Sequence, residues 1–343
     1  MSKNSSRALP SNATRDATPP GEPDALPPRA HLRPSTCTGY ISILLDLANN
    51  QWIEEVLKGK DVIDAFKSDL EGFFYPEADF TMNISVQGTR TAYRGSADRG
   101  GVLISTDLAE CEVDSLERMM FILLVLGHET AHLLNVHGGF RDDSNQDTKA
   151  LEVWADFFGT KVAMVAMTIG DKIQDMVACL PGGKETGARV EAIGAAIGLL
   201  GTTYFETGST RYEPAPVRVA TCVAGVMSAL DTFWSLNGIP RNVGRSMSLQ
   251  LRLYQSPAMR LMLSKVEGAG VPERGQFPTI RRIHQHIQGD RTSITVGMRP
   301  IPSAWLRTNY EGSEQERIAE AERQLKKLKE ELVKFGLDLP EGW

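Results

Sequence analysis

The sequence predicts an α+β fold that is mostly helical, with a small sheet just before a long apolar helix. Three observations predict it. Apolar residues at three- and four-residue spacing dominate after residue 114. Residues 79–87 alternate with a period of two, and a short apolar run follows at 101–105. The stretch "LLVLGHETAHLLNVHGGF" (123–140) then sets three ionisable side chains, His128, Glu129 and His132, among core residues.

Bulk properties narrow the class. The 343 residues suffice for one large domain or two ordinary ones. Hydrophobic residues make up 41% and charged residues 23%, as in soluble globular proteins. Net charge is 37 − 43 = −6 without a long basic stretch, so no nucleic-acid partner is expected. Cys37, Cys111, Cys179 and Cys222 are far apart and form no CxxC pair. They read as free thiols of a reducing compartment, and a cytoplasmic location follows. No apolar leader core opens the chain. The apolar stretches 119–127, 160–170 and 190–205 fall short of the roughly 20 residues of a bilayer span, so membrane association is not expected.

Residues 1–36 hold seven prolines and only three leucines, a composition that cannot offset its ordering entropy; a disordered tail is expected. A main domain spans 37–310. Thr38–Phe74 reads as helical, first through Leu44, Leu45, Trp52 and Ile53, then through Val62, Ile63, Phe66 and Leu70. In "DFTMNISVQ" (79–87), Phe80, Met82, Ile84 and Val86 mark a half-buried strand, and "GVLIS" (101–105) a second. Asp114 or Ser115 caps a helix from about Leu116 to Val136, stopped by Gly138 and Gly139. After the polar "DDSNQD" come helices at 149–167, 187–206 and 214–234. The "GAAIG" of the second reads as a close helix contact. Residues 311–343 hold a charged helix with a Ser313/Glu316 capping box and an Ile318, Leu325, Leu332 heptad stripe. That helix either joins two copies as a short coiled coil or docks on its own domain.

On the helix just described, His128 and His132 stand four residues apart and project from one face. Two neutral imidazoles so held can bind one metal ion, with Glu129 one step round beside the ion's open position. A dry apolar wall strengthens such bonding. A third ligand has several candidates. His137 misses the HExxHxxGxxH spacing, because Asn135 and Gly138 occupy the Gly and His positions. Asp142 and Asp143 sit in a polar loop. Glu152 in "ALEVWADFFGT" is the better choice: it stands four residues before Asp156 on the next helix, with 19 residues between it and His132. Asp156 can then accept a hydrogen bond from the other nitrogen of a ligating His.

The paired motifs HExxH and ExxAD, as "HETAHLLNVHGGF" and "ALEVWADFFGT", resemble those of the gluzincin zinc metallopeptidases over residues 118–160. They are similar to the M48 peptidases and to the family of the phage-exclusion protein Lit. The resemblance implies a zincin-like fold, Zn2+ as cofactor and a protein or peptide substrate. It implies zinc held by His128, His132 and Glu152, with Glu129 as general base. It also implies a sheet edge that takes the substrate as an added strand. Both groups carry a His-Pro segment followed by an Arg; here "STRYEPAPVRVAT" has Glu213 in place of the His, with Arg218 following. Arg218 either braces Asp156 or stabilises an oxyanion. Tyr212, Arg218, Tyr204, His284 and His286, in that order, are candidates for the oxyanion donor. His284 and His286 are two apart and share a face only in a strand, so a plain helical or surface role is expected for that pair. Three rivals remain: a zincin-fold regulatory protein that has lost catalysis, a zinc hydrolase of another bond, and a site with no metal at all.

Overall fold

A computed structural model describes residues 44–46, 51–53, 56–88, 94–96, 101–137, 145–205, 211–264, 276–288, 297–307 and 314–334. The tail at 1–36, Asp142, Asp143 and the Ser313 cap lie outside them.

The first departure from expectation falls at 44–46 and 51–53. Leu44–Asp46 (β1) and Gln51–Ile53 (β2) pair antiparallel, with Leu44 opposite Ile53, instead of forming a helix. Asn49 and Asn50 between them are turn formers, and Trp52 and Ile53 favour the pleated surface. The second expected helix is present as Gly59–Gly72 (α1), which buries Val62, Ile63, Phe66 and Leu70. The Asp61 carboxylate accepts from the Lys58 amide at 2.8 Å and secures its first turn.

The sheet has three strands, Asn83–Gln87 (β3), Arg94–Ser96 (β4) and Gly101–Ser105 (β5), in the order β3-β5-β4. β3 runs parallel to β5 and β4 antiparallel to it. The alternation at 79–87 is only partly realised: Met82 is buried and Ile84 half-buried, but Val86 is exposed. The helix Thr106–Glu110 (α2) follows directly on β5, its first turn capped by the Ser105 hydroxyl.

Leu116–Leu134 (α3) starts at Ser115, whose hydroxyl accepts from the Arg118 amide. It ends at Asn135 and Val136 rather than at the glycines; Val136 takes a φ of 58°, left-handed and costly for a β-branched residue. α3 is the centre of the core, packed on by α1, by Asn145–Ile169 (α4) and by Thr186–Thr203 (α6). α4 starts four residues earlier than expected and absorbs the end of the polar loop.

Asp171–Cys179 (α5) is anchored by Asp69 of α1, which accepts from the amides of Lys172 at 3.2 Å and Ile173 at 2.9 Å. Ala215–Leu236 (α7) packs on α4 and α6. Among the described helices it is the one long and apolar enough to cross a membrane, yet it carries Arg218 on its buried face. Val243–Tyr254 (α8), Pro257–Ser264 (α9), Gln276–Gln288 (α10) and Pro300–Leu306 (α11) are four further, short helices. A Cβ on Gly194 would strike the Leu253 backbone and one on Gly198 the backbone at Ala258 and Met259, so "GAAIG" is a helix-packing face. Glu314–Lys334 (α12) lies beside α8, with Ile318 and Leu325 of its heptad stripe exposed.

A candidate metal centre between two helices

Helices α3 and α4 approach at Gly127 and Gly159. A Cβ on Gly159 would lie 2.5 Å from the Cα of His128, and one on Gly127 would strike the Gly159 carbonyl. Only glycine permits this contact of backbones. It is what carries Glu152 and Asp156, on the facing side of α4, to the imidazoles of α3. A second close approach does the same for α7. A Cβ on Gly225 would meet the Phe157 carbonyl at 2.5 Å, and Arg218, two turns before Gly225, reaches the same point.

Nε2 of His128 is 3.2 Å from Nε2 of His132 and 3.4 Å from Oε2 of Glu152. Nε2 of His132 is 3.7 Å from Oε1 of Glu152. Metal–ligand bonds of about 2.1 Å set tetrahedral donors about 3.4 Å apart; the separations here are of that size, with a different oxygen of Glu152 facing each ring. Two imidazoles and one carboxylate are also donors suited to a borderline-soft divalent ion. His128, His132 and Glu152 form a group that can hold a metal ion.

The surroundings fix each donor. Nδ1 of His128 lies 3.0 Å from Oδ1 of Asp156, the partner expected from the ExxAD spacing. Asp156 is almost fully buried and is gripped by Arg218, through Nε at 2.7 Å and Nη2 at 2.9 Å. The same Nη2 donates to Oε2 of Glu152 at 3.3 Å. Of the two roles open to Arg218, its contacts are those of a brace. Phe205 covers its guanidinium at 4.0 Å and the Tyr212 ring lies 5.3 Å away.

Electrostatics follow from this packing. Burial alone would push His128 down, but its hydrogen bonds to Asp156 and Glu152 prevail and raise it to about 10. Burial, helped by the neighbouring His128 charge, lowers His132 to about 4 against the opposing pull of Glu152. Burial would raise Glu152, but the His128 hydrogen bond and the charges of His132, His128 and Arg218 take it to about 2. The Tyr212 hydroxyl is pushed up, by burial first and by the charge of Glu152 second, so it stays a protonated donor. Glu129 is 4% exposed, and its charge also acts on Tyr212.

The remaining candidates separate. Tyr204 packs its ring on Phe121 at 5.4 Å, near the start of α3. His286 is exposed on α10. His284 is helical, as expected, but is not at the surface: it is 1% exposed, and its Nε2 is 2.8 Å from Nε2 of His137. His137, set aside as a ligand, is buried with Nδ1 2.8 Å from Nδ1 of His132. Burial drives His284 to about 4 and His137 well below the usual imidazole range, so both are neutral. The signal for His284 was present in its spacing, four residues after Ile280 on the face that α10 buries.

Compared with protein-family models, with curated proteins and with solved structures, the chain matches none.

Proposed function

We propose that the protein is a zinc-dependent peptidase of gluzincin type, with His128, His132 and Glu152 as the metal ligands. The observation that carries this reading is the convergence of the three donors, within 4.8 Å of one another, with Asp156 behind His128. A zinc ion held there would supply a Lewis acid for the scissile carbonyl and a water made acidic at neutral pH. Glu129 is the general base: its carboxylate takes a proton from the attacking water and hands it to the leaving amine. Tyr212, whose ring lies 5.3 Å from the Arg218 guanidinium and which feels the charge of Glu152, is the donor for the developing oxyanion. Arg218 grips Asp156 with two hydrogen bonds and so holds the partner of His128 in place. Edge strand β4 packs beside α3, which suits capture of an extended peptide as an additional strand.

The test is Glu129→Gln, assayed for bound zinc and for cleavage of a quenched-fluorescent peptide library. Zinc retained with cleavage lost supports the scheme. Zinc-loaded wild-type protein that cleaves nothing favours the rival in which the fold has become a silent regulatory module.

A further inference from the structure

His137 and His284 are two buried imidazoles that the proposed reaction does not use. They are joined to the donor group in a line. Nδ1 of His132 is 2.8 Å from Nδ1 of His137, and Nε2 of His137 is 2.8 Å from Nε2 of His284. The His137 and His284 rings are inclined by only 21° with centroids 5.0 Å apart, the edge-to-edge arrangement of an in-plane N–H···N bond.

We propose that His137 and His284 are positioning residues for His132, forming a one-way chain of hydrogen bonds that fixes which nitrogen of His132 is free to bind a cation. A neutral imidazole has one donor and one acceptor. With Nε2 of His132 turned to His128 and Glu152, its proton resides on Nδ1 and is donated to Nδ1 of His137. His137 then carries its own proton on Nε2 and donates it to Nε2 of His284. No other direction is consistent with a lone pair facing the donor group.

The chain is held from both ends. The left-handed turn at Val136 brings His137 back under α3. On the far side, Trp154 of α4 meets the His284 ring edge-on at 5.3 Å, and Arg282 binds Asp147 at 2.6 Å, pinning α10 to the start of α4. The two ligands are thus supported differently: His128 by a carboxylate, His132 by a chain of two imidazoles. The chain also ties His132 to a helix 147 residues beyond His137, so the docking of α10 and the aim of the ligand are one event.

This inference rests on the metal site proposed above but not on peptidase activity. The experiment uses the full chain and the variants His137→Phe, His284→Phe and His284→Gln. Zinc affinity is read by competition with a chromophoric chelator, and ligand geometry by the visible absorption of the cobalt-loaded protein. Loss of the supporting partner should weaken zinc binding about 10–100-fold in both Phe variants and alter the cobalt spectrum. His284→Gln, whose amide oxygen can accept from His137, should recover most of the affinity; this rescue separates orientation from packing, since Phe fills the space against Trp154 as well or better. Wild-type affinity and an unchanged spectrum in a folded Phe variant overturn the chain, as does His284→Gln behaving like His284→Phe. If the wild-type chain binds neither zinc nor cobalt, the metal-site reading falls first and the chain with it.

Discussion

Asp156 stands between a ligand candidate and a brace: 3.0 Å from Nδ1 of His128 on one side and 2.7 Å from Nε of Arg218 on the other. Both partners share one buried carboxylate, and a buried pair that loses one partner is strongly destabilised. Arg218→Met should therefore destabilise the protein by about 3–5 kcal/mol, because it strands a buried charge. Arg218→Lys should recover only part of that loss, since an ammonium cannot fork onto both oxygens. Urea unfolding of the three proteins decides it. A loss under about 1 kcal/mol for Arg218→Met, the range of exposed ion pairs, would contradict the bracing role.

Contact of helix backbones at Gly127 and Gly159 is the second condition on the site. Gly159→Ala puts a methyl 2.5 Å from the Cα and 2.6 Å from the amide of His128, a backbone that cannot rotate away. The expected cost is about 1–3 kcal/mol or more, with zinc affinity falling as Glu152 withdraws from the histidines. Gly72→Ala, where nothing lies within 4 Å of the added carbon, is the matched control and should be neutral or slightly stabilising. Equal behaviour of the two variants in chelator competition and thermal unfolding would dismiss the glycine contact as a determinant.

What the sequence revealed follows from how local each signal is. His128, His132, Glu152 and Asp156 were legible because a helix converts spacing into a shared face, and both helices announce themselves by apolar periodicity. The Ser115 cap and the strand at 101–105 were legible for the same reason. The paired strands at 44–46 and 51–53 were missed because their apolar residues fit helical spacing as well as a strand, and pairing decides between them. His137 was beyond reach: it sits past the helix end in a turn set by the φ of Val136, and its partner is 147 residues away. Tertiary packing alone brings those rings together.

Zinc itself should act as a stabiliser of the folded chain. A ligand that binds only the native state adds about 2.7 kcal/mol at a free concentration of 100 times Kd. Titrating the metal-stripped protein with zinc should raise Tm, and a chelator should reverse the rise. Glu152→Ala removes one of the three donors and should abolish most of the shift, whereas Glu129→Gln should keep it, because that carboxylate is assigned to proton transfer and not to coordination. A zinc-induced rise that survives Glu152→Ala would place the ion elsewhere.

Asp69 gives a pH dependence away from the site. Burial raises its carboxyl above the ordinary value of 3.8, although the amides of Ile173 and Lys172 pull the other way. The folded state therefore holds the proton more tightly than the unfolded chain. The sign for a raised carboxyl is that ionisation costs stability above the folded pKa, and the cost disappears as pH falls through it towards the unfolded value. Asp69→Asn keeps an acceptor for α5 and cannot ionise. Its stability relative to wild type should be most favourable at neutral pH and should decline steadily towards about pH 4. Asp69→Ala has no acceptor, leaves two amides of the first turn of α5 without their partner, and should cost about 1–3 kcal/mol at every pH. Urea unfolding of the three proteins over that pH range reads both effects. A wild-type chain that gains on Asp69→Asn as pH rises would mean that the backbone amides outweigh burial at Asp69.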